Sequence, residues 1–106
     1  MIHTKIVCTI GPASDSVEML EKLIRAGMNV ARLNFSHGSH EEHGRRIVNI
    51  RKAAENLGAT VAILLDTKGP EIRLGSLTDS KVTVAEGEKI VLTTREIKGE
   101  KNVFPV

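Results

Sequence analysis

Three runs of aliphatic and β-branched residues alternate with two helical patterns over roughly the first two thirds of the 106-residue chain. The runs cover residues 5–10, 29–35 and 60–65, and their composition is typical of strands. The third run is almost continuously apolar, as a parallel strand covered on both faces should be. The order predicts a β-α-β-α-β unit whose right-handed connections produce a parallel sheet.

Capping residues and glycines mark the predicted helix ends. Asp15 is followed by Glu18, and Ser39 by Glu42, which is the spacing of a capping box. Gly58 stands where the second helix is expected to end. Apolar residues recur at helical spacing at Val17, Leu20, Leu23 and Ile24, and again at Ile47, Ile50, Ala54 and Leu57.

The character of the sequence changes after residue 73. Residues 81–84 and 89–94 alternate and flank Glu86 and Gly87, which predicts a β-hairpin. We therefore expect residues 1–73 to form an α/β unit and residues 74–106 to begin a separate, incomplete all-β unit. With three strands in its sheet, the chain is expected to leave the third strand as an edge with exposed apolar faces and to be a piece of something longer.

Composition and charge exclude several classes of function. The formal net charge is +2 and no basic run interleaves with aromatic residues, so nucleic-acid binding is not expected. No apolar run approaches the roughly 20 residues that span a bilayer, and no signal peptide is evident. Cys8 is the only cysteine, so there is no internal disulfide, and a cytoplasmic protein is expected.

Polar side chains lie on the second predicted strand and after the third. Arg32 and Asn34 share one face of the second strand, opposite Leu33. The carboxyl ends of parallel strands meet at one edge of a sheet, where active sites of such folds lie. Three groups are expected to converge there: residues 11–14, residues 34–37 and residues 66–68.

Two kinds of ligand are open to these side chains. Oxygen donors with little total charge suit a hard cation, and a single carboxylate favours a monovalent ion; the donors are Asn34, Ser36, Asp66 and Thr67. They could equally cap helices and satisfy strand ends. Arg32 and Arg73 are candidate phosphate ligands because a guanidinium matches phosphate oxygens, the alternative being an ion pair at the surface or between strands.

Three histidines recur at every third residue, at His37, His40 and His43. A zinc site is disfavoured because His37 precedes the helix cap at Ser39 and need not share a helical face with the others. His40 and His43 are instead expected to be solvated residues of the first helical turn. Cys8 is expected to be a small core residue rather than a nucleophile.

Three long motifs, at residues 4–14, 27–38 and 65–73, closely resemble the N-terminal region of pyruvate kinase in order and spacing. The resemblance covers essentially the whole chain, and residues 74–106 resemble the start of the family's small β-barrel lid domain. It implies the βαβαβ parallel portion of a (β/α)8 TIM barrel that the lid interrupts after the third strand. It also implies phosphoryl transfer from phosphoenolpyruvate to ADP, which gives pyruvate and ATP in glycolysis.

The resemblance also implies roles for individual residues. Arg32 would hold the phosphate that is transferred. Potassium would be bound by Asn34, Ser36, Asp66 and Thr67, and the nucleotide by Asn34, Phe35, Ser36, His37 and Arg73. The family's catalytic lysine and Mg²⁺ ligands lie on later strands, so the chain alone is expected to be inactive, with no catalytic residue of its own.

The resemblance leaves the state of the chain open. A full-length member of the family is expected to be a homotetramer, whereas this chain is expected to be marginally stable or to self-associate. The alternatives to an enzyme fragment are a non-catalytic nucleotide- and cation-binding module, or an inert remnant whose exposed edges pair with another chain.

Overall fold

The computed structural model describes residues 3–106 as two compact units, the first ending at Gly69 and the second beginning at Pro70. The first unit contains β1 (Ile6–Thr9), α1 (Val17–Arg25), β2 (Met28–Asn34), α2 (His40–Leu57) and β3 (Ala62–Asp66). No helix among residues 3–106 has both the length and the apolar character needed to cross a membrane.

The three strands form a parallel sheet in the order β1-β2-β3, which confirms the predicted β-α-β-α-β unit. In this sheet β2 is central. Its register places Arg32 between Thr9 of β1 and Leu64 of β3, and Asn34 beside Asp66. The polar residues of neighbouring strands therefore lie in adjacent rows on one face.

The core lies on the opposite face of the sheet. Ala31 and Leu33 of β2 are fully buried and cluster with Leu20 of α1 and Ile50 of α2. The alternation along β2 is thus the predicted one, with apolar residues toward the helices. Leu65 of β3 is half exposed, in agreement with the expected exposed edge rather than with a strand covered on both faces.

The two helices begin differently. Ser39 caps α2 in a complete capping box: the Glu42 amide donates to Ser39 Oγ at 3.2 Å, and the Ser39 amide donates to Glu42 Oε2 at 2.7 Å. This prediction is confirmed, and Gly58 ends α2 in the left-handed region with φ of 58°. For α1 the predicted cap at Asp15 is wrong, because Ser16 is the capping residue.

The first cap shifts because Asp15 is bonded to the other helix. Its carboxylate accepts from Arg46 Nε at 3.3 Å, and its backbone carbonyl accepts from Asn49 Nδ2 at 2.8 Å. The Ser16 hydroxyl is then the side chain that accepts from a free amide of the first turn, that of Met19.

The second unit is built on a parallel strand pair, β4 (Val91–Thr93) with β5 (Val103–Pro105). The hairpin predicted around Glu86 and Gly87 is wrong: a turn forms there, but residues 81–84 are not a strand. An isolated hairpin is marginal in water, and the side chain of Val84 stays 40% exposed. Strand β4 pairs with β5 instead, and Phe104 of β5 is buried.

The buried leucine of β2 gives a direct test of this core. We expect Leu33→Ala to lower the free energy of unfolding by about 3 kcal/mol, because it removes a fully buried side chain and leaves a cavity. Leu65→Ala is the matched control, since Leu65 is 51% exposed, and it should cost about 1 kcal/mol or less. Urea denaturation of the chain measures both, and equal losses would contradict the described core.

Candidate functional site

The candidate site lies where β2 and β3 end. Asn34 and Asp66 are partners in the strand register, and the Phe35 amide donates to the Asp66 carbonyl at 3.0 Å just beyond it. Thr67 follows Asp66 directly and is exposed. The structure thus brings Asn34 and Phe35 together with Asp66, as predicted from the parallel topology.

An ion pair joins the two strands across this edge. Arg32 Nε donates to Asp66 Oδ2 at 2.8 Å, Arg32 Nη2 donates to the same oxygen, and Arg32 Nη1 donates to Thr9 Oγ1 at 3.0 Å. The side chains of Arg32 and Asp66 are 31% and 42% exposed. A guanidinium has five N–H donors, so these three contacts leave two donors for a further ligand. Both bonds from Arg32 to Asp66 end on Oδ2, which leaves Oδ1 outside the pair.

Asn34 shapes the turn that follows β2. Its Oδ1 accepts from the Ser36 amide at 3.0 Å, and its backbone carbonyl accepts from the His37 amide at 3.3 Å. This is an Asx-turn, in which the side chain takes the place of a backbone carbonyl. An amide oxygen has two lone pairs, so Asn34 Oδ1 can accept or coordinate once more.

A cleft of about 370 Å³ opens beside this turn. It lies between the connection that follows β1, the turn that follows β2 and the start of α2. Its lining residues are Thr9, Ile10, Gly11, Pro12, Asn34, His37, Gly38, Glu42 and Arg46. The predicted convergence of residues 11–14 with residues 34–37 is therefore seen in this cleft, which Gly11 and Pro12 share with Asn34 and His37.

Sequence reasoning missed Arg46 as a residue of this region. Its side chain is only 7% exposed, and its pair with Asp15 fastens the connection after β1 to α2. The sequence feature that indicates its burial is its position four residues before Ile50, on the helical stripe that faces the core. That stripe was traced through apolar residues alone, so a polar member of it went unnoticed.

The expectation for His43 is wrong, whereas His40 is exposed as predicted. His43 is 2% exposed, its Nε2 lies 2.6 Å from the His37 carbonyl oxygen, and its ring stacks on Phe35 with centroids 4.2 Å apart. Its position seven residues before Ile50 places it on the buried stripe of α2. Among residues 3–106, no group of three or more His, Cys, Asp or Glu side chains is arranged to hold a metal ion.

Arg73 belongs to the second unit. Its Nε and Nη2 donate to the two carboxylate oxygens of Glu71, each at 3.1 Å. The hydrogen bonds and charge of Glu71 raise the pKa of Arg73 above its ordinary value, so the guanidinium remains a cation. Its role toward a nucleotide stays a prediction.

A parallel sheet whose strands are connected by helices defines an α/β protein. Its polar side chains gather at the carboxyl ends of the strands, the edge where proteins of this class bind their ligands. Residues 1–104 match the family profile described as "Pyruvate kinase, barrel domain". A pyruvate kinase of Staphylococcus haemolyticus is 58% identical over 106 residues, which are 100% of this chain and 18% of the relative. A pyruvate kinase of Geobacillus stearothermophilus is 65% identical over 96 residues, 91% of this chain and 16% of the relative.

Solved structures give the same result. The crystal structure of Cryptosporidium parvum pyruvate kinase superposes with a TM-score of 0.90 and 48% identity, covering 96% of this chain and 22% of that one. The chain therefore belongs to the pyruvate kinase family. It spans less than a fifth of the length of the two curated relatives described above.

The buried arginine of α2 gives a test of how the cleft is held. We expect Arg46→Gln to lower the free energy of unfolding by about 2 kcal/mol, because it removes a buried guanidinium from its partner Asp15. The neighbouring Arg45 is exposed, so Arg45→Gln is a matched control with an expected effect within about 0.5 kcal/mol. Urea denaturation measures both, and equal effects would show that the pair with Asp15 contributes no stability.

Proposed function

We propose that this chain is the part of a pyruvate kinase that holds the activating potassium ion, the nucleotide and the phosphate that is transferred. The reaction is phosphoryl transfer from phosphoenolpyruvate to ADP, and it requires the remainder of the protein. The observation that carries the proposal is the paired end of β2 and β3, where Asn34 lies beside Asp66 and Arg32 bridges to the same carboxylate.

The donor chemistry at this edge supports a potassium site formed by Asn34, Ser36, Asp66 and Thr67. Asn34 Oδ1 keeps a free lone pair, and Asp66 Oδ1 lies outside the ion pair with Arg32. Because Arg32 offsets the charge of Asp66, the group has little net negative charge. Such a site favours a monovalent over a divalent ion. Bound potassium would supply positive charge next to the phosphate groups.

Arg32 is proposed to bind the phosphate that moves. Its two remaining N–H donors suit phosphate oxygens, and its contacts with Asp66 and Thr9 fix the plane of the guanidinium in advance. Phosphoryl transfer depends mainly on positioning and charge neutralisation, and a fixed guanidinium supplies both.

The nucleotide is proposed to bind Asn34, Phe35, Ser36 and His37, together with Arg73 of the second unit. The cleft beside the Asx-turn supports this, because it offers space lined by Asn34 and His37 at the same edge as Arg32. The catalytic lysine and the Mg²⁺ ligands are proposed to lie outside this chain. The lid assignment of residues 74–106, the homotetramer and the cytoplasmic location likewise stay predictions.

Calorimetric titration of the chain with MgADP tests the site. We expect heat of binding in potassium chloride and at least threefold weaker binding in tetramethylammonium chloride, because a cation beside the phosphates is lost. Asp66→Asn should abolish that difference, since it removes the only carboxylate of the site. Asp79→Asn changes an exposed aspartate of the second unit and should preserve it. Binding that is the same in both salts would contradict the potassium assignment.

A coupled assay of the chain with phosphoenolpyruvate and MgADP tests whether this chain can catalyse the reaction without the remainder of the protein. We expect no formation of ATP, because no residue of this chain is assigned to proton transfer or to Mg²⁺. Potassium-dependent formation of ATP would contradict the expectation that the chain alone is inactive. Potassium-dependent nucleotide binding without turnover is the result that the proposal requires.

A further inference from the structure

We propose that His43 is a positioning residue for the ligand-binding turn at residues 34–38, a role that rests on the function proposed above. His43 belongs to α2 and not to the turn. Its side chain nevertheless contacts the turn at two points, the ring of Phe35 and the carbonyl of His37.

The hydrogen bond between His43 and His37 shows which ring nitrogen carries a proton. The His37 carbonyl oxygen can only accept, so His43 Nε2, at 2.6 Å, must be the donor. The other ring nitrogen, Nδ1, is buried and has no partner among the described residues. The bond to the His37 carbonyl therefore requires a proton on Nε2.

The remaining contacts hold the turn from two sides. The Phe35 and His43 rings are nearly parallel, at 15°, with centroids 4.2 Å apart. Gly38 has φ of +77°, and a Cβ there would lie 3.2 Å from His43 Nε2 and 3.0 Å from Glu42 Oε2. The backbone therefore passes against the start of α2 at a distance that suits glycine.

The consequence is a turn that is set before a ligand arrives. Asn34 organises the turn from within through the Ser36 amide, and His43 fixes its far end from the helix. Preorganisation of this kind lowers the cost of ordering the site on binding. His43 is not itself a member of either proposed ligand set. It contacts Phe35 and His37 of the nucleotide set, so its effect on affinity is exerted through them.

Two substitutions of His43 distinguish the contribution of its hydrogen bond from that of its ring. His43→Phe keeps an aromatic ring against Phe35 and loses the donor, whereas His43→Gln offers an amide donor near the place of Nε2 and loses the ring. Arg45→Gln is the control, because Arg45 is an exposed residue of the same helix, two positions after His43.

Amide hydrogen exchange of the whole chain provides a test that does not depend on a ligand. In His43→Phe we expect the Ser36 and His37 amides to exchange about fivefold faster, because one hydrogen bond holding the turn is lost. The amides of Ala31 and Ala53 in the core should be unchanged. His43→Gln should restore slow exchange in part, and Arg45→Gln should match the unaltered chain.

Three results obtained without a ligand would overturn the proposal. The first is unchanged exchange at Ser36 and His37 in both His43 variants. The second is an equal acceleration at Ala31 and Ala53, which would make His43 an ordinary core residue. The third is a nitrogen chemical shift, measured by NMR, that places the proton of His43 on Nδ1 rather than Nε2.

Nucleotide affinity then links the turn to the proposed function. MgADP should bind His43→Phe about fivefold more weakly than the unaltered chain, with recovery in His43→Gln. Full affinity in His43→Phe would overturn the positioning role. If the unaltered chain does not bind MgADP, the proposed function fails for this chain, and the exchange measurement alone decides the role of His43.

Discussion

The parallel pairing of β2 with β3 is the constraint on which the rest of the site depends. Residues that are 32 apart in the chain, Asn34 and Asp66, become neighbours only because the two strands run in the same direction in one register. A shift of one residue would turn Arg32 and Asn34 toward the helices and expose Leu33. The burial of Leu33 and Ala31 opposes such a shift, so the apolar face of β2 also fixes the position of its polar face.

The ion pair between Arg32 and Asp66 follows from this placement. A guanidinium that is only 31% exposed needs partners, and the register supplies a carboxylate and the hydroxyl of Thr9. The sequence left two alternatives for Arg32, an inter-strand ion pair or a phosphate ligand. They are compatible, since the pair with Asp66 and the bond to Thr9 together occupy three of the five donors and hold the others in a fixed direction.

The fold of the first unit was predictable because its signals are local. A capping box such as Ser39 with Glu42 and the alternation around Leu33 each specify structure from a few adjacent residues. The cap of α1 was not predictable in this way, because Asp15 is engaged by a residue 31 positions away. The hairpin prediction failed for a related reason: alternation in residues 81–84 gives a strand only where another element covers it.

The residues of the candidate site likewise differ in how far they could be predicted from local sequence. Its proposed ligand donors could be predicted because they lie at strand ends, where topology gathers them, but the places of His43 and Arg46 could not. Both lie on the buried stripe of α2 that also contains Ile50 and Ala53, and a search for apolar periodicity passes over polar members of a stripe. Once buried, each must satisfy its polar groups, and the carbonyl of His37 and the carboxylate of Asp15 are the partners within reach. The need to pair polar groups inside the first unit thus makes one face of α2 the support for both connections that border the cleft.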